Sequence, residues 1–120
     1  MDSGDLSAAE QDFREALRIA RVLDYPEGVA NTTGNLAALA LQRQEWLGAE
    51  TLARDALTLS EKLRRQELIA ENCRRLAKTL ARQDRETEAL PYARRAVEIY
   101  TALRSPNLEI ARQTLVECES

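Results

Sequence analysis

Apolar positions recur along this chain at steps of three and four, the spacing that places residues on one face of an α-helix. In SAAEQDFREALRIA they are Ala9, Phe13, Ala16 and Leu17. Sliding the chain on itself by 40 residues aligns these without a gap to Ala49, Ala53, Ala56 and Leu57, then to Ala89, Ala93, Ala96 and Val97. Leu23, Leu63 and Leu103 close the same stripe. The intervening segments repeat as well: VANTTGNLAALALQRQ and IAENCRRLAKTLARQD bring Ala30 onto Ala70, Thr33 onto Cys73, Leu36 onto Leu76 and Ala37 onto Ala77. Two helix types therefore alternate, here termed A and B. The pattern predicts an orphan B helix over 5–23, an A/B repeat over 27–63 (helices near 27–43 and 46–63), a second repeat over 67–103 (helices near 67–83 and 86–103), and a last helix over 107–118. No segment shows the period-two alternation of a strand, so the expected class is all-α.

The punctuation follows the same period. Tyr25-Pro26 and Ser105-Pro106 lie two repeats apart, and proline suits a first helical position while disfavouring helix in the residue before it. Ser7 and Glu10 have capping-box spacing, which predicts a first helix starting near 5–7. Pro91 removes a backbone donor near the start of the third B helix, so that helix is expected to start late or bend. The last helix carries Leu108, Ala111, Leu115 and Cys118 on one stripe, and the 40-residue register sets Glu117 against Ala37 and Ala77; it is expected to be a degenerate half-repeat acting as a cap.

Composition sharpens this picture. The chain has 120 residues, enough for one domain spanning 1–120, with 44% hydrophobic but only 4% aromatic residues. Its interior must be built from alanine and leucine, whose small volume lets helices approach closely. The net charge of −3 argues against a general nucleic-acid binder, and although KLRR, CRRLAK and ARR could touch phosphates, acids are interspersed and aromatics for base stacking are few. Residues 1–60 carry 5 Lys and Arg against 10 Asp and Glu, and residues 61–120 carry 12 against 10, so electrostatic recognition should favour the C-terminal half. Cys73 and Cys118 lack metal-ligand spacing and the chain has no histidine, so neither a metal nor a cofactor is expected. Cys73 falls on an apolar stripe and should be a buried thiol. No nucleophile–base pair, GxSxG sequence or phosphate loop is present, so no enzymatic activity is expected. No apolar run has the length of a membrane span, and Asp2 and Asp5 are foreign to a signal peptide; a cytoplasmic setting is the expectation.

The units resemble tetratricopeptide repeats. Ala9, Phe13 and Ala16 match the family's small–aromatic–small signature, with Ala53 and Ala93 in place of the aromatic in the later copies; GNLAALA matches its small-residue segment, and Trp46 its aromatic between helices. The family's usual period is shorter, and the 40-residue period resembles the longer repeats of kinesin light chains and of bacterial signalling proteins. The resemblance implies an α-α superhelix of about six helices that serves as a protein–protein interaction scaffold, with the A helices lining a concave face.

Carried onto this chain, the groove residues that the resemblance implies are Asn31, Gly34, Asn35, Ala38 and Gln42 from the first A helix and Glu71, Arg74, Arg75, Lys78 and Arg82 from the second. Arg74, Lys78 and Arg82 recur every four residues, which complements an acidic peptide or a carboxylate. The same spacing lets Glu71 pair with Arg75 or Arg74, leaving a merely solvated face. A second reading is structural: the B helix over 5–23 lacks an A partner, either because the chain is a piece of a longer array or because another copy covers it through Leu6, Phe13 and Leu17.

Overall fold

The stripes fold into six helices: α1 (Ser3–Val22), α2 (Pro26–Gln42), α3 (Trp46–Leu63), α4 (Gln66–Ala81), α5 (Glu86–Leu103) and α6 (Leu108–Glu119). This computed structural model describes residues 3–119. Helix α1 is already formed at Ser3, so Ser7 sits inside it rather than at its start. Glu10, the other half of the expected capping box, instead accepts hydrogen bonds from Arg14 (2.9 Å) and Arg43 (2.6 Å). Helix α5 begins at Glu86 and continues through Pro91, so it does not start late. The carbonyl of Thr87 loses its helical donor there, and both Thr87 and Pro91 are exposed, where water can replace it.

Every connection is closed by a left-handed residue, at Asp24, Gln44, Arg64, Asp84 and Arg104, with φ between 52° and 62°. These positions are 20 residues apart, half the sequence repeat, and none is glycine. Each reverses the chain through the same pair of bonds: at the third turn Arg64 N–H donates to the Glu61 carbonyl (3.1 Å) and Arg65 N–H to the Ser60 carbonyl (3.3 Å). This is the Schellman arrangement, which satisfies the orphan carbonyls of the departing helix. In the first four turns the next residue also opens the following helix, as when the Arg65 carbonyl accepts from Ile69 N–H at 2.9 Å. Tight turns of fixed geometry force consecutive helices to lie antiparallel.

Alanine sets the spacing between them. Ala49, Ala53, Ala56, Ala70, Ala77, Ala89, Ala93 and Ala96 are completely buried, surrounding Leu76, Leu80, Cys73 and Tyr100. Each helix packs on its sequence neighbours; α4 also meets α2 and α6, whereas α3 does not approach α1 or α5 closely. The A helices α2, α4 and α6 thus form the inner layer, and the B helices fan apart outside it. Long polar side chains bridge the fan: Arg54 donates to the Tyr92 hydroxyl (3.4 Å) and Arg95 to Glu61 (2.8 Å). Glu50, at the repeat position of Glu10, accepts from Arg54 (3.0 Å), Gln83 (3.2 Å) and Arg85 (2.7 Å), tying α3 to α4 and its following turn as Glu10 ties α1 to Arg43.

The last helix departs from the register. After Ser105 the chain makes a tighter turn, with Leu108 N–H on the Ser105 carbonyl (3.2 Å) and Ala111 N–H on the Asn107 carbonyl (3.2 Å). Helix α6 therefore enters one residue late, burying Ala111, Thr114 and Cys118 and leaving Glu117 exposed. Cys118, not Glu117, takes the place equivalent to Ala77, and its thiol reaches the Ala77 carbonyl at 3.9 Å. The 40-residue alignment of Glu117 is corrected accordingly: a charged side chain would be costly in that seam, and a one-residue slip avoids it.

Candidate functional site

Helices α2 and α4 run side by side in the inner layer, and the seam between them holds the expected groove residues in two recesses. One, of 410 Å³, is lined by Ala38, Leu41, Gln42, Gln44 and Trp46 on one side and by Arg74, Arg75, Lys78 and Arg82 on the other. The other, of 360 Å³, lies toward the helix N-termini and includes Tyr25, Glu27, Asn31, Arg65, Glu67 and Glu71. Six of the expected residues, Ala38, Gln42, Arg74, Arg75, Lys78 and Arg82, thus share one recess, while Asn31 and Glu71 line the other. Asn35 is half-buried and lines neither.

Between the recesses the structure builds something the residue pattern did not show. Gly34 is buried rather than projecting into the groove, because Arg75 and Asn72 lie over it. A Cβ at Gly34 would stand 2.5 Å from Arg75 Nη1 and 2.7 Å from Asn72 Oδ1, so the absent side chain is what lets α4 lay an arginine across α2. The Arg75 side chain is only 11% exposed and forms an ion pair with Glu71. Burial draws its pKa below the ordinary arginine range, with Arg74 reinforcing and Glu71 opposing. Guanidinium nevertheless stays charged at neutral pH. Asn72 donates to Ser60 Oγ (3.0 Å), and Ser60 donates to the Ala56 carbonyl (2.7 Å), so this seam is anchored back to α3. Asn72 Oδ1 and Arg75 Nε are left without a partner among the described residues.

The remaining cations differ from Arg75. Among the described residues Arg74, Lys78 and Arg82 form no ion pair, and all three open into the 410 Å³ recess. An anion entering there would meet several charges not already neutralised. The recess also has an apolar wall, from Ala38, Leu41 and Trp46. Trp46 is half-buried, and its place beside the cations was not foreseen; as the single tryptophan of the chain it was the one available signal.

The residues expected to mediate self-association do not form an open stripe. Leu17 is 8% exposed, in the core against α2, and Leu6 and Phe13 are half-buried. Leu17 is corrected from a candidate contact to a core residue, since its side chain faces the helix that follows α1. What α1 exposes instead is Ala16, Ile19 and Val22.

Cys73 is fully buried, and burial pushes its thiol up to about 11, with Glu61 adding to the effect and Arg95 opposing it. A thiol so poorly ionised is a packing group. Among the described residues no group of three or more Cys, Asp or Glu side chains could hold a metal ion, and no helix is long and apolar enough to cross a membrane.

No curated protein matches the chain. A family model, tetratricopeptide repeat, matches residues 28–102, which span from the first turn of α2 to the last turn of α5 and so cover nearly all of both A/B hairpins. With two stacked hairpins, an inner layer of A helices and a family match over more than half its length, the chain belongs to the tetratricopeptide repeat family, whose helical scaffolds mediate protein–protein interaction.

Proposed function

We propose that this chain captures an acidic segment of a partner protein on the inner face formed by α2 and α4. The observation that carries this reading is the convergence of Arg74, Lys78 and Arg82, none with a carboxylate partner among the described residues, on one 410 Å³ recess. Cations held beside apolar walls attract carboxylates more strongly than cations spread over a convex surface, because solvent screens them less. Ala38 gives the segment close access to the backbone of α2, and Gln42 supplies an amide suited to an extended main chain. Arg75 contributes field rather than a free hydrogen-bonding fork, since Glu71 occupies it.

The test is Lys78→Glu combined with Arg82→Glu, both at positions that form no ion pair among the described residues and so tolerate change. Fluorescence anisotropy with a labelled tetraglutamate peptide at low salt should show binding to the native chain that weakens at least tenfold in the double variant and with rising ionic strength. Equal affinity for both proteins would remove the charged groove from consideration.

A further inference from the structure

At the start of α3 the 40-residue register sets three consecutive residues apart from their counterparts in the other B helices. Trp46, Leu47 and Gly48 open α3, and the equivalent positions are Leu6, Ser7 and Ala8 in α1 and Glu86, Thr87 and Glu88 in α5. Neither α1, which is already helical at Ser3, nor α5 carries an aromatic, an exposed leucine or a glycine at these positions. Leu47 is 74% exposed, so most of its side chain is left to solvent. Gly48 has nothing within 4 Å of where a Cβ would stand, so no close contact inside the protein requires its glycine. In a helix this glycine costs about 1 kcal/mol relative to alanine. The three residues line a shallow recess of 540 Å³ together with Glu45 and Gln83.

This recess is continuous with the groove, because Trp46 forms a wall of both. On one side of the indole lie Arg74, Lys78 and Arg82; on the other lies the exposed Leu47. This departure from the repeat thus adjoins Lys78 and Arg82, which form no ion pair among the described residues.

We propose that the rim formed by Trp46, Leu47 and Gly48 is a second contact for the same partner, receiving an aliphatic side chain a few residues from the acidic stretch held by Lys78 and Arg82. The ligand is then a bipartite segment, acidic residues followed or preceded by a leucine-like anchor, with Trp46 dividing its two halves. The assignment rests on the acidic-groove reading and adds a requirement to it. Charge brings the segment to α4, while the rim discriminates among acidic segments by burial of one apolar side chain.

Three labelled peptides test this on the intact chain: tetraglutamate alone, and tetraglutamate with a glycine–serine spacer and leucine at one end or the other. One of the extended peptides should bind roughly tenfold tighter than tetraglutamate, the order expected for burying a leucine side chain. Leu47→Ser, which installs the residue found at the same position in α1, should abolish that gain and leave tetraglutamate affinity unchanged. A gain that persists in Leu47→Ser, or no gain from either extension while tetraglutamate still binds, overturns the rim assignment and leaves the groove intact. Failure of tetraglutamate and of both extended peptides to bind the native chain overturns groove and rim together.

Discussion

Replacing Gly34 by alanine sets two effects of opposite sign against each other. Alanine in a helix interior is favoured over glycine by about 1 kcal/mol, so at an open position the substitution should stabilise. At Gly34 the new methyl group meets Arg75 Nη1 at 2.5 Å and Asn72 Oδ1 at 2.7 Å, both closer than carbon tolerates. Arg75 ends a flexible chain but is held by Glu71. Asn72 has less freedom, being 1% exposed and bonded to Ser60 Oγ at 3.0 Å. Overpacking a tight seam costs about 1–3 kcal/mol and a weakened buried hydrogen bond about 1 kcal/mol more, so the steric term wins and the net loss is about 1–3 kcal/mol. Gly48→Ala provides the internal control, since nothing stands near its Cβ; there the propensity gain should survive and the chain should become more stable by up to about 1 kcal/mol. Urea unfolding followed at 222 nm, with midpoints compared at equal m, separates the two. A Gly34→Ala chain as stable as the native one would show that the α2–α4 spacing is not set by this contact, and the account of Arg75 would fall with it.

Two further perturbations address the frame around the groove. Burial pushes the Glu50 carboxyl up, but hydrogen bonds from Arg85, Gln83 and Arg54 together outweigh it and hold its pKa below the usual carboxylate value. A depressed folded-state pKa means that the stabilisation is present above the unfolded value near ~4.3 and is lost as pH falls through the folded one. Glu50→Gln should therefore cost about 1 kcal/mol at pH 7, a modest figure because its arginine partners are partly solvated, and the difference from the native chain should vanish in acid; a pH-independent gap in urea midpoints would contradict this. Arg64 carries a left-handed backbone (φ 56°) without the freedom of glycine and forms no ion pair among the described residues. Arg64→Gly should raise the thermal midpoint by a few degrees, corresponding to a net gain of about 0.5–1 kcal/mol once the greater unfolded-state entropy of glycine is subtracted; a lowered midpoint would show that the turn is not strained.

The stripes were legible because alanine at steps of three and four can belong only to a helix buried on that face, and 40-residue copies confirm one another. The turns were not legible in the same way. Their left-handed residues are Asp, Gln and Arg, so the glycine that usually marks such a cap is missing, and geometry imposed by two converging helices overrides local preference. The capping box at Ser7 and Glu10 misled for a related reason: Glu10 is worth more as a partner to Arg43, 33 residues away, than to its own helix start. The slip in α6 depends on how Pro106 and Asn107 turn, which no alignment of stripes reports. In the groove, spacing put the cations of α4 on one helix face, and the family resemblance implied that this face is the concave one. The withdrawal of Arg75 did not, because it needs Gly34 from a helix 41 positions away to be in contact.

The charges of this protein divide by whether they obey the repeat. Glu10 and Glu50 stand in register and each gathers arginines from its own helix and from the end of the next A helix or the turn after it, so those charges serve the frame. Lys78 and Arg82 stand in register with Ala38 and Gln42, and neither has an internal partner among the described residues. Trp46, Leu47 and Gly48 depart from register in the same neighbourhood. A helical array is held together by what its copies share, chiefly buried alanine and the five Schellman turns, and such shared features carry no information about a ligand. The informative positions are those where one copy differs from the others without any gain to packing. On α4 and at the start of α3 such positions line two recesses that share Trp46 as a wall, and it is there that the proposed partner reading is to be tested.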